Sequence, residues 1–180
     1  MAVKRIVILA DTQSPFEDAP CIALAVKFIQ DYKPDTVVFN GDMLDLATAS
    51  KFIRAKGHGP QTVKQEVDWA MAAVIEPLRN AAPSATYYWV EGNHEFRLTR
   101  YLRVMAPVLE GLIEAAPVFQ CEKLKIKYVA SKAGNGILRL TKHLTIMHGN
   151  RTGINPARRS TAPGGALWSW ATPTRRARSA

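Results

Sequence analysis

The sequence predicts an α/β fold built on a mostly parallel β-sheet. Three observations predict it: short apolar runs alternate with longer segments of helical spacing, polar residues directly follow the apolar runs, and 180 residues suffice for one buried core. Parallel strands need crossover connections, and helices between consecutive strands provide them. The order strand, helix, strand, helix, strand therefore indicates parallel pairing.

The first third of the chain supplies two strands and two predicted helices. Residues 6–10 (IVILA) form a continuous apolar run, which is typical of a buried strand. Residues 19–32 have apolar side chains at helical spacing, and Pro34 ends that helix. Residues 36–40 (TVVFN) form the second strand, and a helix is predicted over residues 46–55.

The rest of the chain continues the pattern. Residues 62–79 carry an apolar stripe that predicts a helix, on which Trp69 is expected to be in the core because its neighbours are apolar. Residues 86–90 form the third strand, and residues 95–116 are helical with an interruption at Pro107. Later strands are predicted over residues 125–130, 136–140 and 144–147.

Several classes of protein are not expected from this composition. No segment approaches about 18 consecutive apolar residues, so no membrane span is predicted. The amino terminus enters a strand-like run without the pattern of a secretory signal, so we expect a cytoplasmic protein. Cys21 and Cys121 have neither metal-type nor redox spacing and are interpreted as small hydrophobic residues without a function.

Positive charge is concentrated in the last third of the chain. Residues 1–122 contain 12 Lys/Arg and 15 Asp/Glu, whereas residues 123–180 contain 12 Lys/Arg and no acidic residue. Such a stretch could attract nucleic acid through phosphate contacts, although a solvated basic tail is the favoured interpretation. We expect one domain over residues 1–155, followed by a basic and irregular tail over residues 156–180.

Potential metal ligands follow the strands. Because parallel strands of an α/β sheet end at one edge, side chains that follow them are expected to converge, and their oxygen and nitrogen donors suit a dinuclear metal site. Taken singly, each motif has an ordinary structural explanation, such as a helix cap or a turn. The four motifs are Asp11, Thr12 and Gln13; Gly41 and Asp42; Gly92, Asn93, His94 and Glu95; and His148 and Gly149.

In order and in strand context, these motifs resemble the calcineurin-like metallophosphoesterases, and phage and prophage members in particular. The resemblance covers about residues 5–150, and Gly-Asn-His followed by an acid is its most specific piece. It implies a sandwich of two β-sheets flanked by helices, with two divalent metal ions as cofactors. It also implies hydrolysis of a phosphomonoester or phosphodiester, with a nucleotide or nucleic acid among the candidate substrates.

The resemblance also implies a role for each residue. Two cations about 3.5 to 4 Å apart would neutralise the phosphoester and lower the pKa of a bridging water. Asp42 would bridge the ions, Asp11 would complete one site, and Asn93 and His148 would bind the other ion. His94 would be the catalytic residue, either as a general acid or by stabilising the phosphoryl oxygens.

Gln13 departs from the family pattern, because most members have a metal-binding His at this position. We interpret Gln13 as a variant metal ligand, with a solvent-facing spacer as the alternative. An amide oxygen is a harder donor than imidazole and favours Mn²⁺ or Mg²⁺ over Zn²⁺. Mn²⁺ is therefore the expected metal, with Mg²⁺, Fe, Zn²⁺ and Ni²⁺ as alternatives.

The second departure is a missing Gly-His-x-His, which family members carry after the next strand. Residues 166–174 (ALWSWATPT) stand there instead and are typical of neither a strand nor a helix. If they are encoded by GCN-CTN-TGG-TCN-TGG-GCN-ACN-CCN-ACN, reading from the third base of each codon permits Ala-Val-Val-Met-Gly-His-Thr-His. We therefore hypothesise a frameshift between about residues 156 and 166, an incomplete C-terminal part of the fold, and impaired activity.

The alternative function is a catalytically inactive nucleic-acid-binding protein that uses its basic last third. Trp168 and Trp170 lie apart from the arginines of that region, so aromatic residues do not alternate with basic ones in the manner of a stacking surface. Three further arginines, Arg97, Arg100 and Arg103, follow the Asn-His pair and could approach an anionic substrate. A solvated helix face is the favoured interpretation of these three.

Overall fold

The computed structural model describes residues 5–50, 59–60, 62–131 and 136–149, and the backbone of residues 166–168. Its strands are β1 (Ile6–Leu9), β2 (Thr36–Phe39), β3 (Thr86–Val90), β4 (Ile126–Val129), β5 (Ile137–Arg139), β6 (Leu144–Met147) and β7 (Ala166–Trp168). Its α-helices are α1 (Ala19–Tyr32), α2 (Val63–Ala70), α3 (Glu76–Ala81), α4 (Phe96–Met105) and α5 (Ala115–Val118).

The strands form two sheets. The first has the order β1-β2-β3-β4, and all of its neighbours pair in parallel, which confirms the α/β prediction. The second has the order β5-β6-β7, with β5 antiparallel and β7 parallel to β6. Because the strands of the first sheet run in one direction, all of their carboxyl ends lie at one edge.

Alternate residues of the first sheet pack into different layers. On one face, Val37, Phe39 and Trp89 belong to the large cluster that includes buried residues of α1, α3 and α4. On the other face, Val38 and Val90 pack with residues of β5 and β6. The first sheet therefore lies between helices and the second sheet, which agrees with the sandwich that the family resemblance implies.

Helix α1 has the predicted bounds. Asp18 caps its first turn, because its carboxylate accepts a hydrogen bond from the backbone N–H of Cys21 at 3.1 Å. Lys33 then adopts a left-handed conformation, with φ 50°, and its N–H donates to the carbonyl of Ile29 at 3.0 Å. Pro34 follows directly and prevents the helix from continuing.

The prediction of a helix over residues 46–55 is wrong for residues 46–50, which the structure describes. A short 3₁₀ turn spans Ala47–Ala49, and Ser50 is extended. The carboxylate of Glu66 accepts hydrogen bonds from the N–H groups of Ala47 and Thr48 at 2.9 and 3.1 Å. These bonds from a distant helix satisfy the backbone in place of an α-helical ladder, while residues 51–58 lie outside the described residues.

The long predicted helix is confirmed, but one of its residues is misplaced. Helix α2, a π-helical turn (Met71–Ile75) and α3 follow one another without a break. The prediction that Trp69 is in the core is wrong, because its side chain is 52% exposed and its indole N–H donates to Glu17 at 2.9 Å. An indole needs a partner for its N–H, and Glu17 provides one at the surface.

The predictions for the last part of the chain had mixed outcomes. Helix α4 ends before Pro107, which confirms the interruption there. The prediction that residues 166–174 are typical of no strand is wrong for Ala166–Trp168, which pairs with β6. Pairing needs only an extended backbone beside a strand edge, and β7 pairs with the edge of β6 that β5 leaves open. The other residues of the predicted 156–180 tail lie outside the described part.

Within the described part of the chain, no helix combines the length and the apolar character that a membrane crossing requires.

Candidate metal centre

The predicted motifs lie where the two sheets meet. Asn40, directly after β2, joins the two sheets through its side-chain amide and its backbone carbonyl. Its side-chain amide donates to the carbonyl of Met147 at 3.3 Å, and its own carbonyl lies 2.8 Å from Nδ1 of His148. Since a carbonyl only accepts, Nδ1 of His148 carries a proton. His148 is thereby oriented with its Nε2 toward the ends of the first sheet.

The loops after β1 and β2 contain residues with a left-handed backbone. Asp11, Gln13 and Asp42 have φ values of 59°, 47° and 53°. Such a conformation costs an L-residue about 1 to 2 kcal/mol, and it persists only where surrounding contacts hold it. Here the N–H of Asp11 donates to the carbonyl of Gly41 at 3.1 Å, and the N–H of Gln13 donates to the carbonyl of Asp42 at 2.9 Å. Strained backbone of this kind clusters at functional sites.

Asp11, Asp42 and His148 form a candidate metal-binding cluster. One ligand atom of each lies within 4.8 Å of the others. Nε2 of His148 is 3.3 Å from Oδ2 of Asp42 and 3.1 Å from Oδ1 of Asn93. The structure thus brings together four of the side chains that the sequence proposes as metal ligands. Their assignment to a metal stays a prediction.

Gln13 and His94 lie at the same edge. The backbone of Gln13 is bonded to Asp42, as described above, whereas a role for its side chain as a ligand stays a prediction. The backbone N–H of His94 donates to Oδ1 of Asp42 at 2.9 Å, and its ring nitrogen Nε2 lies 3.6 Å from Oδ2. His94 therefore borders the cluster, as the sequence predicts.

Two glycines allow the loops to approach each other closely. A Cβ added to Gly41 would lie 2.7 Å from Nδ1 of His148, and Gly41 also has a positive φ of 78°. A Cβ added to Gly92 would lie 2.6 Å from the backbone nitrogen of Asp42 and would collide with Oδ1 of the same residue. Both positions therefore require a glycine if Asp42 and His148 are to keep their places.

Asp42 and His148 form a buried ion pair. Burial alone would lower the pKa of His148, but the hydrogen bond to Asp42 and the negative charge of that carboxylate raise the pKa to about 9. Burial alone would raise the pKa of Asp42, but the hydrogen bond and charge of His148 lower it. The two shifts describe one interaction. A metal ion that binds Nε2 must therefore displace a proton from His148.

His94 lies between Asp45 and Arg97. Its Nδ1 is 3.0 Å from Oδ1 of Asp45, a short contact that is not aligned as a regular hydrogen bond. Nη2 of Arg97 is 3.0 Å from Nε2 of His94, and Nη1 donates to the backbone carbonyl of Asp45 at 2.5 Å. A guanidinium only donates, so Nε2 of His94 accepts, and the proton of a neutral ring is on Nδ1, facing Asp45.

The pKa of Asp45 reflects these neighbours. Burial would raise the pKa of this carboxyl group, but the contact with His94 and the positive charge of Arg97 lower it. Asp45 is therefore a carboxylate that can orient the His94 ring. Sequence reasoning gave Asp45 no role. The available signal was a second carboxylate only three residues after Asp42.

Glu95 is the second residue that sequence reasoning missed. Its fully buried carboxylate accepts hydrogen bonds from the backbone N–H groups of Asp42 and Met43, both at 2.8 Å, and of Gly92 at 3.0 Å. Burial and the charge of Asp42 raise its pKa, while the backbone donors oppose that shift. Glu95 thus connects the loops after β2 and β3. The sequence shows Glu95 as the acid that ends the Gly-Asn-His-Glu motif, but it does not show which backbone groups its carboxylate contacts.

The chain is similar to several known proteins. The sequence profile described as calcineurin-like phosphoesterase matches residues 4–173. The Gene 54 protein of Mycobacterium phage D29 is 31% identical over 166 residues, which is 87% of this chain and 61% of that protein. The Gene 54 protein of Mycobacterium phage L5 is 34% identical over 124 residues, which is 67% of this chain and 46% of that protein. The chain thus spans about half to three fifths of the length of these relatives.

A crystal structure of a dimetal phosphatase from Danio rerio is also similar, with 16% sequence identity and a TM-score of 0.38. The similarity covers 81% of this chain and 43% of that one. The profile match extends beyond residue 155, and the predicted boundary between domain and tail stays a prediction.

Proposed function

Because the chain belongs to the calcineurin-like phosphoesterase family, we propose that it is a hydrolase that cleaves a phosphoester bond with the help of two divalent cations. The observation that carries the proposal is the meeting of Asp11, Asp42 and His148, whose ligand atoms lie within 4.8 Å of one another. These residues are 31 or more positions apart in sequence, so only the fold brings them together.

The donor set fits divalent cations. The candidate ligands offer carboxylate oxygens (Asp11 and Asp42), amide oxygens (Asn93 and Gln13) and one imidazole nitrogen, Nε2 of His148. The other ring nitrogen of His148 is hydrogen-bonded to a backbone carbonyl, which orients the ring. When bound, the cations neutralise the phosphoester and make a water molecule more acidic. The predominance of oxygen donors favours Mn²⁺ or Mg²⁺, and we propose Mn²⁺.

The residues around the cluster orient the groups that touch the substrate. Glu95 holds the loop of Asp42 against the loop of Asn93, and Asp45 faces the protonated nitrogen of His94. With its proton on Nδ1, His94 presents Nε2 as an acceptor. Stabilising a phosphoryl oxygen or protonating a leaving group would therefore require that His94 first bind a proton at Nε2.

We further propose that this chain has low activity, because the Gly-His-x-His of its family is missing. Strand β7 supports the frameshift hypothesis, since it pairs in parallel with β6 and its carboxyl end lies at the edge where β6 ends at His148. In family members the missing histidines follow the next strand, which is the place that β7 occupies here. Loss of two ligands would leave each cation less firmly bound.

A phosphodiesterase assay tests the proposal. With Mn²⁺ and bis(p-nitrophenyl) phosphate, we expect rates near background for this chain and clear hydrolysis for a chain whose reading frame is repaired. In the repaired chain, Asp42→Asn should lower the rate by about 100-fold or more, because the shared carboxylate is lost. Asp31→Asn, at an exposed carboxylate that pairs with Lys27, is the matched control and should have no effect.

Two outcomes would contradict the proposal. Equal activity of the original and repaired chains would contradict the predicted impairment, and codons for residues 167–174 that spell no Gly-His-x-His in another frame would remove its basis. A repaired chain that binds Mn²⁺ but hydrolyses neither phosphomonoesters nor phosphodiesters would contradict the proposed activity itself.

A further inference from the structure

Arg97 is part of the site and does not lie on a solvated helix face. Its side chain is 16% exposed. Nη1 contacts the backbone carbonyl of Asp45 at 2.5 Å and its carboxylate at 3.4 Å, while Nη2 contacts Nε2 of His94 at 3.0 Å. The guanidinium therefore connects the loop after β2 with the loop after β3.

The two ends of this guanidinium have partners of different strength. Asp45 offers oxygens to Nη1, one of them charged, and these fix the position of the group. Among the described residues, the partner of Nη2 is a ring nitrogen of His94, which carries no charge of its own when it accepts a hydrogen bond. The hydrogen bond to His94 has a charged donor and an uncharged acceptor, whereas a bond to an anionic oxygen pairs opposite charges and is the stronger of the two. An anionic oxygen that arrived beside His94 would therefore take Nη2 from the imidazole.

The location of Nη2 determines which anion can reach it. His94 borders the metal-binding cluster, with its Nε2 3.6 Å from Oδ2 of Asp42 and its backbone N–H bonded to Oδ1. A phosphoester at the cluster would present its remaining oxygens toward this side. Arg97 keeps its positive charge at every physiological pH, and its planar fork suits phosphoryl oxygens.

We propose that Arg97 binds a phosphoryl oxygen of the substrate, exchanging the contact of Nη2 with His94 for a hydrogen bond to that oxygen. The proposal rests on the proposed function, because it takes the entering anion to be a phosphoester. Asp45 keeps the guanidinium in place during the exchange.

The other two arginines of α4 provide a contrast. Arg103 is exposed and pairs with Glu110 on the surface at 2.8 Å. Arg100 is exposed and lies one turn after Arg97. Arg100 is thus a matched control, because it has the same chemistry on the same helix at a position outside the site.

Inorganic phosphate is the probe for the test. Binding of Mn²⁺ is measured first, and phosphate is then titrated calorimetrically into Mn²⁺-saturated wild type, Arg97→Gln, Arg97→Lys and Arg100→Gln, after circular dichroism has checked folding. We expect Arg97→Gln to weaken phosphate binding at least about tenfold, with an unchanged affinity for Mn²⁺. Arg97→Lys keeps the charge without the fork and should have an intermediate affinity, and Arg100→Gln should match the wild type.

Three results would overturn the proposal. The first is a phosphate affinity of Arg97→Gln within twofold of wild type, and the second is an Mn²⁺-loaded wild type that binds no phosphate. The third is the loss of both Mn²⁺ and phosphate binding in both Arg97 variants. A wild type that binds no Mn²⁺ would bear on the proposed function alone, as the extreme case of the proposed loss of two metal ligands. In that case phosphate is titrated into the metal-free proteins. Phosphate binding by the wild type that is lost in Arg97→Gln would support the role of Arg97. No binding by the wild type, or equal binding by both proteins, would overturn it.

Discussion

The loop after β2 (residues 41–45) is held by its two neighbours in different ways. The loop after β1 (residues 11–14) is joined to it by backbone hydrogen bonds from Asp11 to Gly41, from Gln13 to Asp42 and from Ser14 to Met43. The loop after β3 (residues 91–95) is joined to it through side-chain carboxylates. That of Glu95 accepts hydrogen bonds from the backbone of the β2 loop, and that of Asp42 accepts one from the backbone N–H of His94.

This difference determines where the site is sensitive to substitution. Backbone bonds between the first two loops exist for nearly any side chain, provided that the left-handed conformations are kept. The contact between the β2 and β3 loops depends on side-chain groups, chiefly the carboxylate of Glu95, which accepts hydrogen bonds from four backbone N–H groups. We expect substitutions at the second contact to have much larger effects than substitutions at the first.

The largest effect is expected for Glu95→Gln. An amide group turns a donor toward backbone N–H groups that need an acceptor, and leaving such groups buried and unpaired should lower the free energy of unfolding by about 3 to 5 kcal/mol. Urea unfolding followed by circular dichroism measures this loss. Affinity for Mn²⁺ should also fall, because Asp42 and Asn93 are no longer held at a fixed distance from each other.

Glu66→Gln is the matched control for Glu95→Gln. Glu66 is also fully buried and accepts hydrogen bonds from the N–H groups of Ala47 and Thr48, and Thr48 Oγ1 donates to it as well. Its substitution should lower stability by a similar amount without changing the affinity for Mn²⁺ of the folded protein. If Glu95→Gln and Glu66→Gln had the same effect on Mn²⁺, Glu95 would have no special connection with the site.

A rise in pH is expected to have an intermediate effect on stability. It weakens the contact between Asp42 in the β2 loop and His148 after β6. Because the pKa of His148 is raised to about 9 from its ordinary 6.5, its ion pair with Asp42 stabilises the metal-free protein fully below pH 6.5. This stabilisation, up to about 3 kcal/mol, should be lost as the pH rises through 9. Affinity for Mn²⁺ should change in the opposite direction, because the ion binds the deprotonated ring.

The control for the pH effect is His148→Asn, which lacks the titrating group. Between pH 6.5 and 9, the stability of metal-free His148→Asn should change much less than that of the wild type. A parallel decline in both proteins would show that another group is responsible and that His148 does not hold the β2 loop by charge.

The smallest effect is expected for Thr12→Ala. The hydroxyl of Thr12 donates to the carbonyl of Met43 at 2.7 Å, between the loops after β1 and β2. Its loss should cost about 1 kcal/mol, because the backbone bonds between the same loops remain. Thermal unfolding measures the cost, and Mn²⁺ affinity should stay the same. A loss as large as that of Glu95→Gln would contradict the difference between the two contacts.

Local sequence patterns predicted much of the fold. The apolar runs that predict β1, β2 and β3 lie within one residue of the observed strands, because a short strand of a parallel sheet needs little more than such a run. Helix α1 has the predicted bounds because its cap and the following proline are local signals. The helix predicted over residues 46–55 was wrong because Glu66, a distant residue, bonds the backbone there.

Arg97 illustrates the limit of the same reasoning at the site. Like its neighbour Arg100, it follows the Asn-His pair on a helix, and charge patterns favoured a solvated face for both. Arg100 is exposed, whereas Arg97 is largely buried between Asp45 and His94. Which face of α4 meets the loop after β2 depends on how the helix packs on the sheet, and no pattern within the helix contains that information.

By itself, the sequence determined the parallel strands and the polar residues that end them, because alternation, apolar runs and caps act over a few residues. Only the tertiary structure decided which groups those residues contact. The bond between His148 and Asn40 joins residues 108 positions apart, and the one between Glu95 and Asp42 joins residues 53 apart. Such partners follow from the packing of two sheets and from the register of their strands, which long-range burial sets.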